Sequence, residues 1–86
     1  MPSYLVESYA SAVTVAEALA RARRTAELGT GVRYVRTTFL PGDQAILHLF
    51  EAPSIGAIGE AGRLAELPFY RIVEAVEGEE RTAEVR

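Results

Sequence analysis

Two β-rich runs, VRYVRTTFL at 32–40 and QAILHLFEA at 44–52, are separated only by the turn residues PGD. Proline fixes φ and glycine tolerates φ > 0, so the two runs read as an antiparallel hairpin. A hairpin at the middle of an 86-residue chain leaves room on each side for one helix and one strand. That constraint organises everything else in the sequence.

On the N-terminal side, SYLVESYA alternates β-favouring and polar residues and predicts a first strand. Thr14 and Glu17 in TVAE form a capping box, in which each side chain satisfies a backbone N–H of the other residue at a helix start. Val15, Leu19, Ala22 and Ala26 then recur at helical spacing, and Gly29 is expected to end the helix in a left-handed conformation, which predicts a helix over 15–28. On the C-terminal side, Ser54 caps a second helix whose stripe is Ile55, Ile58, Ala61 and Ala65, with Pro68 closing it. FYRIVEAVE at 69–77 is the last clear strand. The polar, acidic stretch at 78–86 is expected to be a tail or a short edge strand, so one domain spans 1–77.

The order is therefore βαββαβ. Right-handed crossovers with antiparallel neighbours give an α+β ferredoxin-like sandwich, sheet order 4-1-3-2, with both helices on one face. The other face is left bare. A face bearing aromatics is too apolar to leave wet in so small a domain, which predicts a face-to-face homodimer of the dimeric α+β barrel type.

Composition removes several functions. At 49% apolar and 24% charged residues the chain is globular, and no apolar run approaches the roughly 20 residues that span a bilayer. No export signal opens the chain, so a cytoplasmic location without membrane partners is expected. A net charge of −3 with scattered arginines argues against nucleic acid. The dense RARR at 21–24 spreads around a solvated helix face, where Arg23 can pair with Glu27. Cysteine is absent, which excludes disulfides, thiolate metal sites and thiol nucleophiles. Lysine is absent too, which excludes Schiff-base chemistry. Gly56, Gly59 and Gly62 lie at three-residue spacing inside the second helix with no lysine after them, so they are not a phosphate loop.

The bare face carries whatever chemistry the chain has. If Val35, Phe39, Leu47 and Leu49 face the helices, then Tyr34, Arg36, Thr38, His48 and Phe50 face outward, joined by Leu5, Glu7 and Tyr9 of the first strand. This puts the single histidine near a carboxylate, a guanidinium and two phenols. A turn one residue shorter sends His48 to the helices and Leu47 outward. His48 thus has two readings, a hydrogen-bonded packing residue or a ligand or base, and Glu7 with Arg36 has a plain reading as a cross-strand ion pair.

YLVESY, the R-Y-x-R-x-x-F strand with its proline turn, and LFEAPS followed by LPFYRIVEAVE together resemble a family of small bacterial ferredoxin-like proteins of unknown function, over about residues 4–76. A branch of that family is described as nickel-binding. The resemblance implies the same fold, a dimer, and a nickel or other divalent-metal protein acting in sequestration or buffering. The available donors for such a role are His48 and Glu7, with Glu51 as an auxiliary, in one chain or shared between two. The alternative is a small-molecule-binding dimeric barrel, a cofactor-free oxygenase, isomerase or cyclase. There His48 serves as general base, Arg36 stabilises an enolate or phenolate, and Tyr34 orients the substrate. The space around His48 separates these readings: dry packing supports neither, a polar cluster supports metal, and an apolar cavity supports a ligand.

Overall fold

The computed structural model describes residues 1–10 and 14–76; the expected tail at 78–86 lies outside the described residues. The elements are β1 (Ser3–Tyr9), α1 (Val15–Leu28), β2 (Arg33–Leu40), β3 (Ala45–Glu51), α2 (Ile55–Leu64) and β4 (Arg71–Ala75). The strands pair antiparallel in the order β2-β3-β1-β4, which is 4-1-3-2 read from the other edge. The fold is a ferredoxin-like α+β sandwich.

Local chemistry explains the elements. The capping box is present, with the Thr14 side chain accepting from the Glu17 N–H while Glu17 Oε1 accepts from the Thr14 N–H. Ser54 caps α2 by accepting from the Ala57 N–H at 3.2 Å. Gly29 does end α1, but in an extended conformation (φ −96°) instead of the left-handed one expected. Its value is close approach: a Cβ there would sit 2.7 Å from Ala61 Cβ on α2 and from Val32 Cγ2. The left-handed glycine of this connection is Gly31, at φ 74°. Helix α2 stops at Leu64, before Pro68, because Glu66 adopts φ 59° and turns the chain away.

One face of the sheet meets the helices. Tyr4 and Val6 of β1 and Phe50 of β3 pack with Ala22 of α1 and with Ile58 and Ala61 of α2, flanked by Tyr34 and Ile72. Two residues decide which β2 and β3 side chains join them. The hairpin loop runs over Pro41–Gln44, one residue longer than the PGD turn, because Gln44 takes φ 56° and Leu40 pairs with Ala45. An extra residue in the loop inverts the faces of β3 relative to β2. A β-bulge at Val35, between Tyr34 and Arg36, then inverts the first part of β2. The expected outward set is consequently split. Arg36 and Thr38 lie on the open face, whereas Tyr34, His48 and Phe50 lie on the helix side, and Leu47 and Leu49 point outward instead of inward.

Candidate site on the open sheet face

The register that turns His48 inward also fixes its surroundings. It pairs with Val6 across β1 and with Thr37 across β2 and is 0% exposed. Its Nδ1 lies 2.7 Å from Thr37 Oγ1, which lies 2.6 Å from the Tyr34 hydroxyl. With Tyr34 donating to Thr37 and Thr37 to Nδ1, the imidazole proton sits on Nε2; with the donors reversed, Nε2 is a bare acceptor. In both cases buried Nε2 has no hydrogen-bond partner among the described residues. Burial disfavours the imidazolium and pushes the His48 pKa down to about 4. The imidazole is a neutral interior group surrounded by packing.

The open face is organised around Glu7. This carboxylate on central strand β1 is only 8% exposed although no helix of the described residues covers it. Tyr70 Oη donates to Glu7 Oε1 at 2.7 Å, and Arg71 Nε and Nη2 donate to Oε2 at 3.2 and 3.0 Å. Arg71 reaches it because β4 places that residue opposite Glu7 in register. Tyr70, which precedes β4, is held by its N–H donating to the Glu7 carbonyl at 2.9 Å, and Ser8 Oγ donates to the Pro68 carbonyl just before it. The Tyr70 ring stacks on Tyr9 with centroids 4.5 Å apart and planes 7° from parallel. The Tyr70 hydrogen bond, seconded by Arg71, holds the Glu7 carboxyl below its usual range against the opposing effect of burial. The same hydrogen bond raises the Tyr70 pKa, so the phenol keeps its proton.

Beside this cluster the face is apolar. A depression of about 470 Å³ is floored by Leu5, Leu40, Ala45 and Leu47 and walled by Glu7 and the two tyrosines. A second, of about 300 Å³, shares Leu5 and Leu47 and extends over Leu49 to Arg36 and Thr38.

The residues expected to act together are therefore divided by the sheet. Glu7 lies on the open face and His48 beneath it, since Glu7 pairs with Leu47 and Val6 with His48. Glu51 lies opposite Ser3, four residues or about 13 Å along β1 from Glu7. It is engaged by Arg33, with Nη2 2.8 Å from Oε1. His48, Glu7 and Glu51 do not fit a common nickel site, and no group of three or more metal-ligating side chains gathers among the described residues. A site shared between two chains across the open face would also lack the sealed imidazole. The set His48, Arg36 and Tyr34 is split likewise: Tyr34 and His48 are joined through Thr37 on the helix side, with Arg36 on the other face. Sequence reasoning named Glu7 but missed its partners Tyr70 and Arg71. The available signal was the FYR triplet at the start of the last strand, adjacent to β1 in this topology.

Sheet order and two helices packed on one face, with no described element on the other, define the class as ferredoxin-like. No protein-family model matches the chain, and no curated relative matches it. Among solved structures it is similar to SCO4226 of Streptomyces coelicolor A3(2), with a TM-score of 0.68 over 90% of this chain and 99% of that one. Sequence identity is 16%, so the likeness carries the fold, over nearly the full length of both chains.

Proposed function

We propose that the protein binds a small organic molecule over its open sheet face, in a space that a second copy closes. The observation that carries this reading is a nearly buried carboxylate held by three hydrogen bonds beside an apolar depression, on a face that no helix of the described residues covers. Ligand sites characteristically combine an apolar lining with a few fixed polar groups. The flat projection of the face sets a minimum for the dimer's area. Four strands, each about seven residues long and about 4.8 Å from its neighbour, present about 450 Å² in projection. Two such faces bury about 900 Å² before side-chain relief is counted, near the lower bound of a specific interface.

The electrostatics favour binding over proton abstraction. A general base works best with a pKa near the operating pH, whereas Tyr70 and Arg71 keep Glu7 ionised and weakly basic. Nickel buffering rests on the family resemblance and has no converging donor set behind it among the described residues of one chain.

Sedimentation velocity at micromolar concentration, combined with NMR titration of a fragment library, tests the reading. A dimer is expected, with fragments shifting the signals of Leu5, Glu7 and Leu47. Leu47→Arg, which sets a charge at the centre of the face, should give a folded monomer that no longer responds. A monomeric wild type whose open-face signals respond to no fragment would overturn the proposal.

A further inference from the structure

The two ends of the open face differ in chemistry, and the difference selects a ligand. We propose that the depression at the hairpin end takes an organic cation, an ammonium group carried on a short apolar or aromatic body. The inference rests on the reading that the open face holds a small molecule, and it names the class of that molecule.

Three features converge there. The first is charge. Glu7 and Asp43 line the depression, and no basic residue lines it among the described residues. Arg71 compensates Glu7 from the far side through Oε2, leaving Oε1 with one donor, the Tyr70 hydroxyl, and capacity for another. Asp43, on the hairpin loop, has no ion-pair partner among the described residues. A positive ligand group therefore meets one compensated and one uncompensated carboxylate, while an anion meets repulsion from both. The second feature is aromatic. Tyr9 and Tyr70 stack face to face, are 46% and 50% exposed, and both line the depression. Ring faces attract cations through their quadrupole. The raised pKa of Tyr70 keeps that ring a neutral phenol at any ordinary pH. The third is the floor, where Leu5, Leu40 and Leu47 provide an apolar surface for the ligand body. Of the basic side chains on this face, Arg71 is engaged by Glu7 and Arg33 by Glu51, and Arg36 lines the neighbouring depression beyond Leu5 and Leu47.

Three probes of one shape and different charge test the assignment: phenethylamine, 2-phenylethanol and 3-phenylpropanoate, each titrated into the protein and followed by NMR. The amine is expected to bind most tightly, to shift the signals of Tyr9, Asp43 and Tyr70, and to weaken as salt is raised. Asp43→Asn, a change on an exposed loop, should weaken the amine up to roughly fivefold, the size of one exposed ion pair, and leave the alcohol unchanged. If the alcohol or the acid binds there as tightly as the amine, or if Asp43→Asn leaves the amine unaffected, the cation assignment is overturned while the open-face reading stands. If no probe shifts any open-face signal, the cation assignment is overturned, and the fragment library with sedimentation decides the open-face reading separately.

Discussion

The two faces of this sheet each hold an ionisable group, and they treat it in opposite ways. On the helix side, His48 is sealed from water with one nitrogen bonded to Thr37 and the other without a partner among the described residues, so the neutral form is favoured. On the open side, Glu7 lies at the sheet surface under its own partners, and Tyr70 and Arg71 surround it with donors, so the charged form is the one retained. Burial alone does not decide ionisation; the donors that accompany burial do. A carboxylate supplied with three hydrogen bonds stays charged at a surface that can meet a ligand, whereas an imidazole without a carboxylate neighbour becomes part of the packing.

Acid separates the two faces most strongly. The folded-state pKa of His48 lies near 4 against an ordinary value of 6.5, so below 6.5 the unfolded chain takes up a proton that the folded chain refuses. Stability is therefore full above pH 6.5 and declines as pH falls towards 4, by about 3 kcal/mol for this group. Glu7 acts lower. Its folded pKa is depressed from 4.5, so the stability it adds is present above that value and is lost as pH falls through the folded pKa. Urea denaturation at a series of pH values should show both phases. His48→Gln should remove the first and leave the second, and Glu7→Gln should leave the first and shrink the second, to which the capping carboxylate of Glu17 also contributes. A single phase that neither substitution alters would break the comparison.

A smaller effect sharpens it in terms of packing. His48→Ala should cost about 2 kcal/mol, tempered by relief of the unpartnered nitrogen, because it opens a cavity under the helices. Leu47→Ala, one residue away on the open face, should cost less than half as much under conditions where the protein is monomeric. Equal losses in chemical denaturation would show that the two faces are equally well packed. The smallest effect concerns the link between Tyr34 and His48. Thr37→Val keeps the shape and removes the shared hydroxyl, and should cost about 1 kcal/mol while moving the His48 titration seen by NMR.

The sequence was readable where many residues vote together. Both helices, the hairpin and the strand order follow from periodicity, from Thr14 with Glu17, and from Ser54, each supported by several neighbours. The candidate site was less readable because single residues decided it. A positive φ at Gln44 and a bulge at Val35 each invert the side-chain alternation, and neither residue type announces that conformation. The first put His48 on the wrong face and the second did the same for Tyr34. Glu7 was placed correctly because β1 contains no such irregularity. Its partners escaped notice because the pairing of β1 with β4 joins segments more than 60 residues apart, and no local pattern sets that register.

The position of β1 in the middle of the sheet has a consequence for how the chain is made. Synthesis delivers β1 before any other described element and β4 after all of them, yet the two are neighbours. Pairing of Glu7 with Arg71 bridges 64 residues, so the first strand keeps one raw edge until the last emerges. A nascent or clipped chain that ends before residue 71 can hold its hairpin and both helices while exposing an unsatisfied strand, Ser3–Tyr9, to any other chain nearby. Docking of the final five-residue strand thus completes the open face and, in the same step, moves the sheet edge from the seven-residue β1 to the shorter β4.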